Sequence, residues 1–200
     1  MSPHILFLPG AGGAASFWYP LGALLPSSWR KTYLSWPGLG LEPHDPAIQS
    51  LEDAVAHAAS KLERPSVVVA QSMGGVVAVR LALAHPERIS HLVLTATSGG
   101  VDMAGFGASD WRIPYRAEYP NAADWILTER TDLSAELHRI AIPTLLLWGD
   151  ADPISPVGVG RRLEQLLPRA RLRVLAGGDH AFSRDRAAEI APWVAEHLRE

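Results

Sequence analysis

The chain has 200 residues, of which 48% are hydrophobic and 20% charged, with 18 Lys and Arg against 21 Asp and Glu for a formal net charge of −3. That length holds one full core, and the near-neutral balance without any Lys/Arg cluster argues against a nucleic-acid partner. The absence of cysteine excludes disulfides, a thiol nucleophile, thiolate zinc sites and iron–sulfur ligation. No run approaches the roughly 18 apolar residues of a membrane span. The start, Met1-Ser2-Pro3-His4, lacks the basic stretch of a secretory leader. The expectation is a soluble, cytoplasmic protein with no membrane partner, folded as one domain over residues 1–200.

Short β-rich runs alternate with helical patterns along the chain. His4–Leu8 reads as a strand and leads into Pro9-Gly10-Ala11-Gly12-Gly13. Lys31–Ser35 is a second strand, and Ser50–Leu62 a helix with Ser50 as its cap and Asp53 close to a capping-box position. Ser66–Ala70, almost wholly apolar, is a third strand, followed at once by a buried helix over Met73–Ala84. His91–Thr95 is a fourth strand. Residues 99–128, rich in Gly and aromatic residues, break the rhythm and are expected to form a short lid over the sheet. Thr144–Trp148 and Arg171–Leu175 are the fifth and sixth strands, separated by a helix over Gly158–Leu167. Ser183–Leu198 is a closing helix that Pro192 is expected to kink or restart. This alternation predicts an α/β fold: a doubly wound, mainly parallel six-stranded sheet with helices on both faces.

The strongest chemical signal is Ala70-Gln71-Ser72-Met73-Gly74-Gly75. A strand turns sharply into a helix with Ser72 at the tip and small residues two positions either side, the steric requirement of a nucleophile elbow. The competing role for Ser72 is a plain helix cap. A serine nucleophile needs a base. Of eight histidines, six lie in or beside regular elements and His44 sits in a Pro-rich loop. His180 stands apart in Gly177-Gly178-Asp179-His180, after the last strand, at the sheet edge where open α/β folds build sites. Asp150 and Asp152 compete as the acid that orients it. Two acids so close also raise a metal site, which hard cations would fill with more oxygens than these. The Gly10–Gly13 loop lets backbone N–H groups approach a ligand. It lacks the Gly-Lys-Ser/Thr ending of a phosphate loop and fits a dinucleotide pattern only with Ala15 in the last place.

Together these segments resemble the α/β-hydrolase superfamily, in its compact form with a short cap. The Gly-rich loop, the elbow, the Gly149-x-x-Asp152 loop and the Gly177-Gly178-x-His180 loop follow that family's order. The resemblance implies Ser72, His180 and Asp152 as the catalytic residues, with Asp152 preferred to Asp150. It implies the backbone N–H groups of Ala11 and Met73 as oxyanion donors, no cofactor, no metal and a small-molecule acyl substrate. Two departures stand out. Pro9 replaces the family's usual His, and the first antiparallel strand pair is absent. The strand order implied places the second strand outside the first and the third to sixth on its other side. The implied reaction is acyl transfer on a small ester or thioester. Carbon–carbon bond hydrolysis, lyase chemistry and a non-catalytic binding role are the alternatives. Gln71, Phe106, Trp111 and Trp125 are candidate substrate contacts, with Met103, Ile113, Tyr115 and Tyr119 as further lid residues. Arg112 and Arg116 are candidates to meet a substrate carboxylate, against a plain surface role.

Overall fold

In a computed structural model, residues 3–63 and 65–199 are described. Six parallel strands form one sheet: β1 (His4–Leu8), β2 (Arg30–Tyr33), β3 (Ser66–Gln71), β4 (Ile89–Thr95), β5 (Thr144–Gly149) and β6 (Ala170–Leu175), in the order β2-β1-β3-β4-β5-β6. The chain steps from β1 outward to β2 and then crosses to β3 on the other side of β1. The switch point therefore lies between β1 and β3, where the Gly10 loop and Ser72 emerge side by side.

Side chains alternate across the pleat. Leu6, Leu8, Val68, Ala70, Leu92, Leu94, Leu146 and Trp148 share one face with α2 (Leu51–Ala59), α3 (Met73–Ala84) and α6 (Val157–Leu166). Ile5, Phe7, Val67, Val69, Val93, Leu145 and Leu147 pack on the other against α1 (Tyr19–Leu24), α7 (Phe182–Asp185) and α8 (Ala187–His197). Two buried faces explain why β3 and β5 are apolar without alternation. Local chemistry sets the boundaries. Ser50 Oγ accepts from the Asp53 N–H at 3.1 Å and caps α2, while the Asp53 carboxylate accepts from the Gln49 N–H and the Ser50 hydroxyl. Those two donors hold the Asp53 carboxyl below its usual range.

The closing helix departs from the sequence expectation. It breaks at Arg186, between α7 and α8, and runs unbroken through Pro192. Pro192 is exposed, and so is Ala188, whose carbonyl loses its donor. That exposed carbonyl is open to solvent, which lowers the cost of the proline there. Between β4 and β5 the chain carries α4 (Arg112–Glu118), α5 (Trp125–Thr128) and a 3-10 turn over Leu137–Arg139. This insertion is stitched to the body through Ala123 N–H to Gly38 O (2.8 Å) and Tyr115 Oη to Ala11 O (2.8 Å).

Candidate active site

The turn from β3 into α3 holds Ser72 at φ 53°, ψ −123°, a backbone conformation that costs a non-glycine residue about 1–3 kcal/mol. Several contacts fix it. The Ser72 N–H donates to Thr95 O (3.0 Å), and the Ser72 carbonyl accepts from Gly75 N–H (2.9 Å) and from Thr97 Oγ1 (2.5 Å). A Cβ at Gly74 would overlap the carbonyl oxygens of Leu8 and Pro9, and one at Gly75 would overlap the Thr97 side chain. Gly74 is thus required by backbone approach, and Gly75 by the Thr97 side chain. The Ser72 hydroxyl makes no capping bond to α3. It lies instead 3.1 Å from His180 Nε2, and His180 Nδ1 lies 2.8 Å from Asp152 Oδ2.

Each partner comes from the carboxyl end of a different strand. Asp152 is buried in the loop after β5, and its Oδ1 accepts from the N–H groups of Ile154 (2.8 Å) and Ser155 (3.1 Å). Its other oxygen is left for His180. Asp150 does something different: its carboxylate accepts from Gly177 N–H at 2.6 Å and so ties the β5 loop to the β6 loop. Ser155, missed in the sequence, donates from Oγ to Thr97 O (3.2 Å) and receives the Trp148 indole N–H (3.2 Å). A buried chain thereby links the Asp152 loop to the carbonyl of Ser72. No motif marks Thr97 or Ser155; only the fold brings them together.

A cleft of about 1010 Å³ opens above Ser72. Ala11, Met73 and Gln71 border it, with Leu51, Val76 and Ile126 in its apolar wall and Met103, Trp111, Tyr115 and Tyr119 contributed by the insertion. It is roomier than a lid of thirty residues suggests, because Glu129–Asp132 and Ile154 also wall it. Met73 begins α3, where a first-turn N–H has no intrahelical acceptor. Gln71 is buried and its amide N–H donates to His180 O at 3.2 Å, which holds the histidine loop. Phe106 and Trp125 do not border the cleft. Phe106 packs over Gly158, and Trp125 packs against the α2–α3 side of the core, its indole N–H buried without an acceptor. Ile113 is exposed to solvent. Arg112 is taken up by Leu127 O and Asp110, and Arg116 by Pro120 O, Ala122 O and Asp124. Arg184 pairs with Asp185 through two bonds. Tyr119 is pushed up to about 12 by its hydrogen bond to Glu118 and by burial, so its hydroxyl stays protonated. Among the described residues, no three His, Asp or Glu side chains are grouped to hold a metal.

A family model described as the alpha/beta hydrolase fold matches residues 3–130 and 118–186. The chain belongs to the α/β hydrolase fold family. This α/β hydrolase is 28% identical, over a 225-residue alignment, to a pimeloyl-(acyl-carrier protein) methyl ester esterase of Nitrosomonas europaea, with 90% of the chain and 89% of that protein covered. It is 25% identical to a protein of the same description from Neisseria meningitidis serogroup C, covering 88% of the chain and 86% of that protein. Among solved structures, a thermophilic esterase from Thermogutta terrifontis superposes with a TM-score of 0.80 at 19% identity, over 100% of this chain and 90% of that one. A 2-hydroxy-6-oxo-6-phenylhexa-2,4-dienoate hydrolase from a Rhodococcus species gives 0.78 at 22%, over 100% and 91%. These two likenesses speak to the fold alone. No described helix is long and apolar enough to cross a membrane.

Proposed function

We propose that this α/β hydrolase is a cytoplasmic serine esterase that cleaves a small carboxylic ester or thioester through an acyl-enzyme intermediate. The observation that carries the proposal is the continuous chain Ser72 Oγ–His180 Nε2–Nδ1–Asp152 Oδ2, at 3.1 and 2.8 Å, opening onto an apolar cleft. Ser72 Oγ attacks the carbonyl carbon while His180 takes its proton. The tetrahedral intermediate collapses with loss of the alcohol or thiol, to which His180 returns the proton. Water, deprotonated by His180, then releases the acid and restores Ser72. Asp152 holds the imidazole in the tautomer with Nδ1–H and steadies the imidazolium. The N–H groups of Ala11 and Met73 receive the oxyanion, electrostatic help supplied by fixed dipoles at the moment charge develops.

The description of the Nitrosomonas and Neisseria relatives as methyl ester esterases supports ester cleavage over carbon–carbon bond hydrolysis. The test is covalent labelling by a fluorophosphonate, in which a Ser72 Oγ–P bond forms, fluoride leaves and His180 takes the proton, together with a hydrolysis panel of short esters, acyl thioesters and lactones. Wild-type protein should be labelled and active, and Ser72→Ala folded, unlabelled and inactive. Labelling of Ser72→Ala at the wild-type rate would refute the proposal.

A further inference from the structure

The loop between β1 and α1 is held by its carbonyls. Leu8 O accepts from the Trp18 indole (2.9 Å) and Pro9 O from the Trp36 indole (2.7 Å). Gly10 O accepts from Gly13 N–H (3.1 Å) and Gly13 O from Trp36 N–H (2.8 Å). Ala11 O accepts from the Tyr115 hydroxyl (2.8 Å). In a trans peptide the C=O and the N–H of one plane point in opposite directions. Fixing a carbonyl therefore aims the following N–H. Gly10 O fixes the plane that carries the Ala11 N–H, and Ala11 O fixes the plane on the other side of the same Cα. Of these five donors, only Tyr115 belongs to the insertion.

The Tyr115 hydroxyl makes a second bond in the same place. Its oxygen also accepts from Gly40 N–H at 3.0 Å, so one buried hydroxyl joins three segments: α4, the Gly10–Gly13 loop and the 38–42 loop. The two loops touch backbone to backbone. A Cβ at Gly40 would overlap Gly12 O, and one at Gly13 would overlap Leu39 O. Main chain and the Tyr115 hydroxyl fill most of that seam, with the Glu42 side chain beside Gly13. Burial raises the Tyr115 phenol above its usual range, so the donor proton is retained across the working pH.

We propose that Tyr115 is a positioning residue for the oxyanion hole: its hydroxyl, carried by the insertion, sets the orientation of Ala11 and makes the seating of the insertion a condition for turnover. The inference rests on the serine-esterase proposal above. It assigns the insertion a role in rate as well as in covering the cleft. Lifting α4 would remove the Ala11 O partner and free the plane beside the donor.

The test is a double-mutant cycle between Tyr115→Phe and Ala11→Pro, the second of which deletes the Ala11 N–H. Steady-state hydrolysis of a short nitrophenyl ester and the rate of fluorophosphonate labelling are read for each, with thermal unfolding as a folding control. In the wild-type background, Tyr115→Phe should lower kcat about tenfold or more and change KM less than about threefold, because a donor aimed at the transition state is affected and ground-state binding is not. In the Ala11→Pro background the same change should cost less than about twofold, since the group it positions is gone. An equal factor in both backgrounds, or no loss in the first, overturns the assignment and leaves Tyr115 a packing residue. If Tyr115→Phe does not fold, Gly40→Ala, which must push Gly12 from the same seam, is put through the same cycle; an unchanged kcat or full additivity then overturns it. A wild type that is neither labelled nor active would instead refute the esterase proposal itself.

Discussion

Replacing Ala11 by proline removes a single N–H from the candidate oxyanion hole and sets the ring Cδ in its place. The Gly10–Gly13 turn closes with a 3.1 Å hydrogen bond, and neither Ala11 nor Gly12 has a positive φ. Those facts describe a type I turn with Ala11 at its second position, where φ near −60° suits proline and no ladder hydrogen bond needs the N–H. Ala11 O keeps its Tyr115 partner. Proline also reduces the freedom of the unfolded chain, a gain of about 0.4–1 kcal/mol where the native geometry is compatible. The expected result is a Tm within a few degrees of wild type. Activity should behave differently. Loss of one oxyanion donor costs about 10²–10³ in kcat, or roughly 2.7–4 kcal/mol of transition-state stabilisation. The assay is hydrolysis of a nitrophenyl acetate or butyrate with separate kcat and KM, backed by fluorophosphonate labelling. KM should rise as well, because the ring Cδ crowds the ester carbonyl, so kcat is the quantity that reports the lost donor. A kcat within about threefold of wild type in a folded variant would refute the reasoning: the Ala11 N–H would then not face the reacting carbonyl.

Further outcomes follow from the same geometry. Asp152→Asn should lower kcat by about 10⁴, because an amide favours the wrong His180 tautomer, whereas Asp150→Asn, at a carboxylate that accepts from Gly177 N–H rather than from His180, should leave most turnover; the two are compared at matched folding. In the cleft Arg112 and Arg184 are paired with carboxylates and Arg130 bonds the carbonyls of Leu127 and Glu129, while Asp102, Asp110, Glu118, Glu129 and Asp132 also line it, five acids against three arginines; kcat/KM should therefore favour a neutral dimethyl diester over its half-acid, and parity would count against that electrostatic picture. His4 is held below its ordinary value of 6.5 first by burial and then by Arg30. The unfolded chain thus binds the proton more tightly, stability rises with pH, and the His4 contribution is complete above about 6.5 and fades as pH falls below it; Tm should drop between pH 7 and 5, and His4→Gln should flatten that slope.

Much of this was legible in the sequence because it depends on local patterns. Apolar runs such as Val67-Val68-Val69 mark strands buried on both faces, and the spacing of Ala70, Ser72 and Gly74 records a steric demand that acts within five residues. The carboxyl-edge positions of Asp152 and His180 could be inferred because each follows a strand directly. What escaped depends on long-range contact. Phe106 and Trp125 look like lid residues in the sequence, but which way an aromatic side chain in an irregular segment turns is set by its packing partner, and Gly158 and the core draw these two away from the cleft. Thr97 and Ser155 lie 58 residues apart and carry no motif; their bond exists because β4 and β5 are neighbours. Pro192 shows the reverse error, where a local rule predicts a break that solvent exposure makes unnecessary.

The departures from the family pattern fit one physical account. With Pro9 in place of the usual His, position 9 has neither an imidazole nor an N–H of its own. The loop is instead fixed by donors reaching in from outside it: two tryptophan indoles, a main-chain amide from the segment after β2, and the Tyr115 hydroxyl. Glycines at 13, 40 and 74 permit the close backbone approach this needs, since a side chain at any of them would strike a carbonyl oxygen. The site is thus assembled from main chain pressed against main chain at the β1–β3 switch point. Two of the four outside donors, the Trp18 indole and the Tyr115 hydroxyl, come from segments that also border the cleft, through Ser16 and Phe17 and through Tyr115 itself. A chain with only a short insertion can in this way draw both shelter and alignment from the same residues.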